Sequence, residues 1–539
     1  MLVNSSDSKK DLYNFEEINN LMKSLEKTFK SINENPKYIC RLTAQGVLVG
    51  LFAGLMVCLY RFLLTFSESI LRDYLPIIHG NVLYIILFFI ALTVMGLLID
   101  FITKWEADSA GSGIPQIYAE VKGHMEADWI KVLVSKISAG VLTALGGLSL
   151  GPEGPSVQIG GMAGKGISKI FKGSKTDELR LILVGSAVGI TAAFNAPLAG
   201  VIFVFEEINH GFDKTLVFIA LVSAIVADFI SKLIFGQATI LSFPICTIPL
   251  GMYWLLVILG IIIGILGYTY NVSMIKSSEL LSNSKIPSWL KFVLVFIISG
   301  IVALLIPEIS DGGHFMMNML NVAVPSLTVL ILLLIMKYLF SVFSFSSGAP
   351  GGIFLPILVL GSYIGAIFGS ITVSYFGFHH DLIYRFIVIS MAGFFAATVR
   401  SPITGIVLLA EMSGSTDSLV AMIIVCLIAY AVPTLLGNDP IYESLYDRLL
   451  INKKCENIYK SSTHVLSEYV VPLDCDYINF KIKDIPFPKN AIVVSVIRDG
   501  KYIVPTEDFH IQYSDQIQIL SDSKDYPFIR EEIEDLFKN

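Results

Sequence analysis

What most limits the fold of this chain is a succession of apolar runs, from about Leu42 to Leu436, separated by very short polar breaks. Some, such as Gln45 to Phe66 and Val82 to Ile102, are long enough to cross a hydrocarbon layer of about 30 Å as helices. Others, such as Val157 to Ile170 and Phe354 to Phe368, are too short to do so and are interrupted by glycine. Broken pieces of this kind are tolerated at membrane depth only where they are buried in protein or line a cavity. The expectation is an all-α polytopic membrane protein with broken and re-entrant helices and soluble ends. Composition agrees: 54% of the 539 residues are hydrophobic and 15% charged, and mean hydropathy is +0.70. The net charge of -7 is spread over the polar ends as much as the loops, so it points to no nucleic-acid partner. Six cysteines (Cys40, Cys58, Cys246, Cys426, Cys455, Cys475) lie scattered without a Cys-x-x-Cys pair and read as small core hydrophobes.

Within the apolar region one carboxylate stands out, Glu153 in Gly151-Pro152-Glu153-Gly154-Pro155, after the run Val132 to Leu150. A bare Glu in hydrocarbon is costly and reads as functional by default. Its glycines allow close backbone approach, and its prolines end one helix and suit the first turn of the next, expected to start at Ser156. An interrupted helix turns unpaired N–H groups and a positive dipole end inward, which makes an anion site. A tethered carboxylate and a soluble anion can compete for such a place, and protonation of Glu153 would free it. The plainer alternative is a capping Glu on an ordinary broken helix. Two further breaks follow the same pattern: Gly111-Ser112-Gly113-Ile114-Pro115, where a hydroxyl sits between glycines, and Ser347-Gly348-Ala349-Pro350-Gly351-Gly352-Ile353-Phe354-Leu355-Pro356.

The chain also repeats itself. Residues 192–206 (AAFNAPLAGVIFVFE) align without a gap on 397–411 (ATVRSPITGIVLLAE), each copy preceded by a glycine-rich break. Matching broken segments in two halves point to a substrate site at the repeat interface. Whether the halves are inverted is not written in the repeat.

In order and spacing, Gly-Ser-Gly-Ile-Pro at 111–115, Gly-x-Glu-Gly-Pro at 151–155 and Gly-Gly-Ile-Phe-Leu-Pro at 351–356 resemble the three anion-site signatures of the CLC family of chloride channels and chloride/proton exchangers. The resemblance spans roughly Leu42 to Leu449. It implies two inverted repeats of tilted and half-spanning helices, in a homodimer with one pathway per subunit. It also assigns roles: Ser112 as hydroxyl donor to a central chloride, Glu153 as gating glutamate, and Ile353 and Phe354 as backbone amide donors. Tyr442, in Asp439-Pro440-Ile441-Tyr442, resembles the family's phenol donor, and Tyr446 is then the structural tyrosine. Asn195-Ala196-Pro197 followed by Glu206-Glu207 resembles the exchanger pattern, with Glu207 passing protons toward Glu153. The repeat gives Glu206 a counterpart, Glu411, which favours a structural role for it. Lys136, alone in its apolar run, resembles a buried lysine that supplies positive potential to the anion path; the alternative is a lysine that snorkels to water. Where many members have Arg or Lys before the gating glutamate, this chain has Pro152. Ser112 is the residue associated with chloride over nitrate or fluoride.

The ends are polar. Residues 1–41 hold no signal-peptide pattern, and Phe15, Ile18, Leu21, Met22, Leu25 and Phe29 recur at helical spacing. That predicts an amphipathic segment, with lysines that favour a cytoplasmic N-terminus. A transport domain over 42–452 is followed by a linker, 453–464, and a small α+β cytoplasmic domain, 465–539. In the latter, Ala491 to Ile497 and Tyr502 to Pro505 flank Asp499-Gly500, a hairpin signal. Pro472, the Arg498-Asp499-Gly500 turn, Val504-Pro505 and Asp515 resemble the TrkA-C domain, which implies a regulatory or dimerising module with an unnamed small ligand at 465–522. No His-Glu-x-x-His and no nucleophile with a base is apparent, so an enzyme is disfavoured and neither cofactor nor metal is expected. The functional expectation is a chloride/proton antiporter in a cell membrane. A passive chloride channel and a ligand-sensing membrane protein are the alternatives.

Overall fold

In the computed structural model the described residues are 36–211, 213–237, 241, 248–452, 464–472, 475–498, 501–522 and 526–538. The amphipathic helix expected around Phe15 to Phe29, nearly all of the linker, Cys246 and Cys455 lie outside them. Two compact units are formed, one from Arg41–Val121 with Ala127–Asn452 and one that contains the C-terminal strands.

The larger unit is helical. After α1 (Pro36–His79), the helices α2 (Val82–Trp105), α3 (Ile114–Val121), α4 (Trp129–Leu145), α5 (Glu153–Ile170), α6 (Lys175–Phe194), α7 (Pro197–Phe203) and α8 (Lys214–Phe235) make the first half. Then α9 (Tyr253–Ser282) leads into α10 (Ser288–Leu305), α11 (His314–Val322), α12 (Leu327–Ser346), α13 (Phe354–Phe376), α14 (Leu382–Val399), α15 (Pro402–Ser413) and α16 (Leu419–Leu435), closed by α17 (Ile441–Asn452). The two halves match helix for helix, down to a 3-10 turn at Ala107–Ser109 in one and Pro307–Ile309 in the other. Among the described residues eight helices are long and apolar enough to cross a membrane. This is a multi-pass membrane protein.

Local chemistry sets the helix ends. Asn81, Asp128 and Asp213 cap α2, α4 and α8 with side-chain oxygens, and Ser174 with Asp177 forms a reciprocal capping box on α6. The internal sequence repeat becomes one device used twice: a residue in the left-handed region ends a helix (Asn195, φ 53; Arg400, φ 72), and a proline two residues on begins the next. Two expectations need correction. The helix after Gly151 starts at Glu153 rather than Ser156, because Pro152 (φ -76) and Pro155 fall where a helix needs no N–H from them. The run from Phe354 is also not short: α13 continues to Phe376 and stops at Gly377. Its later turns carry Ser370, Thr372 and Ser374, but Thr372 donates its hydroxyl to the Phe368 carbonyl, and Gly369 sits flush on Ile383.

The most buried elements are α5, α6, α13 and α14, which pack as the pairs α5–α6 and α13–α14. Glycine makes the packing backbone to backbone. A Cβ on Gly160 would run into the carbonyl of Gly185, one on Gly185 into that of Gly160, one on Gly164 into Leu181 and one on Gly189 into Ser156. The same occurs between Gly365 and Phe386. Large apolar side chains of α2, α8, α9, α10 and α12 face outward, for example Leu83, Phe101, Phe229, Ile265 and Leu332.

The C-terminal unit holds one antiparallel sheet, in the order β1 (His464–Val470), β4 (Gln516–Asp522), β2 (Ala491–Arg498), β3 (Lys501–Ile503), with α18 (Tyr526–Lys538) beside it. Arg498 pairs with Lys501 in the register, so β2 and β3 form the expected hairpin; Asp499 and Gly500 themselves are outside the described residues. Its core gathers Val471, Val496, Ile511, Ile517, Ile519, Ile529 and Ile533. Asp515, fully buried, accepts two bonds from Arg498 at 2.7 Å and one from the Gln512 amide at 2.8 Å.

The close approach of these glycines gives a direct test. Gly185→Ala should lower stability by about 1–3 kcal/mol, because rigid backbone faces the new methyl. Gly251→Ala, where nothing lies within 4 Å, should be near neutral. Thermal unfolding of the two variants in detergent checks the contrast.

Candidate functional site

Three glycine-rich breaks, far apart in sequence, meet in the centre of the helical unit. Gly151 and Gly352 exchange both backbone hydrogen bonds at 2.7 Å. The Gly111 amide donates to the Gly348 carbonyl at 3.0 Å, and the Gly351 amide to the Gly111 carbonyl at 3.1 Å. Both α5 and α13 start at this knot. Glycine lets the breaks close: Gly113 has a φ of 102, and a Cβ on Gly154 would collide with Ser112 and approach Gly352.

The knot collects most of the residues singled out from the sequence. Ser112 is 2% exposed and its Oγ has no hydrogen-bond partner among the described residues. Ile353 is the N-cap of α13 and Phe354 its first residue, so their amides belong to the unpaired first turn. The Phe354 ring packs on Phe194, Phe203 and Phe395, with centroids 5.0, 6.2 and 4.6 Å away. Tyr442, at the start of α17, is 0% exposed, meets Phe203 edge to face, and also leaves its hydroxyl without a partner among the described residues. Other buried hydroxyls, those of Ser135 and Ser186 among them, are also open among the described residues; Ser112 and Tyr442 differ in lying at the start of a helix. Two left open beside an uncapped helix start form a place that lacks an acceptor.

Glu153 is 1% exposed. Its carboxylate folds back against its own amide and that of Leu355, at the start of α13, while Oε2 is left without a partner among the described residues. The negative group therefore sits at two helix N-termini. On its other side lies a cavity of about 530 Å³, lined among others by Arg61, Glu68, Arg72, Pro152, Asn195 and His314.

Glu207, 4% exposed, sits in a single π-turn, Val204–Ile208. Its carboxylate accepts from Tyr118 Oη at 3.0 Å and from Ser401 Oγ. Tyr442 lies within electrostatic reach of both Glu153 and Glu207. The neighbouring Glu206 points elsewhere: it accepts from the Ile403 amide at 3.1 Å and the Thr404 amide at 2.7 Å, capping α15. Its counterpart Glu411 caps α7 through the Leu198 and Ala199 amides at 3.1 and 2.8 Å. One Glu of the pair of adjacent acids is thus a cross-repeat cap.

Lys136 does not snorkel. It is fully buried and donates to the carbonyls of Ser109 (2.9 Å) and Gly111 (2.8 Å), holding the loop that presents Ser112. Sequence reasoning missed its partner in the second half, Lys337, which binds Ile309 O at 3.0 Å and Asp311 O at 2.7 Å. A lone lysine in the apolar run of α12 was the available signal. Tyr118 and Ser401, the donors to Glu207, were also missed; nothing local marks them. Asp228 pairs with Lys232 one turn on, at 2.7 Å.

Residues 95–434 match the family described as Voltage gated chloride channel, and residues 466–533 match the TrkA-C domain. Among solved structures, the chain is similar to a slow cyanobacterial Cl-/H+ antiporter, with 28% identity, a TM-score of 0.73, and 77% of this chain and 99% of that one covered. It shares its fold with a CLC-type fluoride/proton antiporter (18% identity, TM-score 0.65, 76% and 98% covered). The same holds for a eukaryotic CLC transporter (22% identity, TM-score 0.64, 83% and 78% covered).

Replacing Glu206 by Ala leaves the Ile403 and Thr404 amides without their acceptor. The expected loss is that of a helix N-cap, about 0.5–2 kcal/mol, read as a lower thermal midpoint in detergent.

Proposed function

Because this chain belongs to the Voltage gated chloride channel family, we propose that it exchanges chloride for protons across a cell membrane, as a homodimer with one pathway per subunit. The observation that carries the reading is the pair of open buried hydroxyls, Ser112 Oγ and Tyr442 Oη, beside the uncapped start of α13. Chloride, an acceptor with no proton of its own, completes those donors together with the Ile353 and Phe354 amides. Ser112 at this point favours chloride over nitrate or fluoride. The Glu153 carboxylate is the competing anion. When it takes a proton it loses its attraction for the helix ends and swings aside, and chloride moves in.

Glu207 supplies or receives that proton from the other end of the dry path. Its location in a π-turn, its two hydroxyl donors and its separation in role from Glu206 support this. The similarity to a Cl-/H+ antiporter is in keeping with exchange, and the choice over passive conduction rests on Glu207. The C-terminal unit, with its TrkA-C match, is read as a cytoplasmic regulatory or dimerising module, and the lysines of residues 1–41 place the N-terminus on the same side in this reading. Lys136 contributes by fixing the Ser112 loop and adding positive potential to the path.

Proton movement in reconstituted vesicles under an imposed chloride gradient is the test. Wild type should drive protons uphill. Glu207→Ala should move chloride with proton coupling lost, and Glu153→Ala should lose coupling and its dependence on pH. Chloride flux without proton movement in wild type would instead make the protein a channel.

A further inference from the structure

Among the residues lining the 530 Å³ cavity beside Glu153, the buried His314 faces Asp311, Arg61, Arg72 and Lys337, and every permanently charged side chain but one is accounted for. Arg72 is bound to the buried Asp311 carboxylate. Glu68 faces Arg72, Asp311 and Lys337, and Lys337 is committed to two carbonyls. Asp73 is exposed at the rim. The residue beside the gating carboxylate, Pro152, has no charge. Arg61 remains. Among the described residues it has no ion-pair partner: one nitrogen, NH1, donates to Asn195 Oδ1 at 3.1 Å and Ala192 O at 3.3 Å, and its Cζ lies 4.4 Å over the Phe235 ring. NH2 and Nε are left to donate. The carboxylate whose field reaches this guanidinium is that of Glu153.

We propose that Arg61 forms an outer chloride site, which holds the anion in the cavity before it reaches the place that Glu153 vacates. A guanidinium presents several donors in a planar fork and is more weakly hydrated than an ammonium, so it can take a partly dehydrated halide without losing its tie to Asn195. In a low-dielectric cleft a single uncompensated charge raises the local anion concentration. The site is also matched to the state of Glu153. With the carboxylate ionised, Arg61 already has a nearby anion. With Glu153 protonated, Arg61 is left uncompensated, and chloride is drawn in when the inner place is about to open. This inference rests on the proposed chloride transport.

A purely structural Arg61 would be a cap on the C-terminal end of α6, through Ala192 and Asn195. Charge rescue separates the two. In vesicles, Arg61→Gln should raise the half-saturating chloride concentration of the initial flux roughly tenfold, the low end of what a focused charge contributes. Maximal flux should change little. Arg61→Lys, which keeps the charge but not the planar fork, should fall between wild type and Arg61→Gln. Adding Pro152→Arg to Arg61→Gln should restore the half-saturating value, because it returns a cation to the same cavity without rebuilding the cap. An unchanged chloride dependence in Arg61→Gln, or no rescue by Pro152→Arg, overturns the proposal. Calorimetric titration of the detergent-solubilised protein with sodium bromide gives a readout that needs no flux: Arg61→Gln should weaken or remove one class of halide binding. If wild type moves no chloride at all, the transport reading fails, while the bromide titration still decides the role of Arg61.

Discussion

The structure depends on two helices being able to begin in the middle of a dry protein. A helix start carries several N–H groups with no partner in its own helix, and hydrocarbon offers none. Here α5 and α13 solve the problem jointly. Their preceding glycines, Gly151 and Gly352, trade backbone hydrogen bonds, Gly111 ties in the third break through Gly348 and Gly351, and two buried lysines hold the flanking loops. The remaining unpaired groups are concentrated at one place instead of being scattered. That concentration is what the Glu153 carboxylate meets when it folds back onto the two helix starts.

Tight helix packing follows from the same need. Helix ends brought to one point must be held there by rigid neighbours, and in a membrane helix association cannot draw on the hydrophobic effect. The glycine pairs between α5 and α6, and those of α13 against α14, let main chain press directly on main chain along whole helix faces. Dispersion over that area and the exclusion of lipid stand in for the missing driving force. The buried pair Lys165–Glu120, with Lys165 also on Ala127 O, fixes α3 against α5 in a similar way, by satisfying charges that have nowhere else to go.

Much of this was written in the chain. Glycine and proline at the three breaks, and a carboxylate or hydroxyl between them, marked the knot because those residue types have few other reasons to interrupt apolar runs. The repeat around Asn195 and Arg400 marked the two-fold relation. What was hidden depended on packing across the fold. Arg61 sits in a long apolar helix, and nothing in its neighbours says that it lines a cavity with Pro152. Tyr118 is one aromatic among many until α3 brings it onto Glu207. The length of α13 was misread because small polar residues in a membrane helix return their hydroxyls to the preceding turn, and so cost less than their hydropathy suggests.

The reciprocal caps have a bearing on how the chain is made. Glu206 in the first half serves the start of α15, and Glu411 in the second serves the start of α7. While synthesis is still in the first half, α7 has no acceptor for its leading amides, and Glu206 has no helix to bind. The Gly151 amide waits in the same way for Gly352. The first half therefore enters the membrane as an unfinished object, and its closure is timed by the emergence of residues beyond Ser401. A sequence change in either half is read by the other, so the two halves cannot drift apart as independent modules.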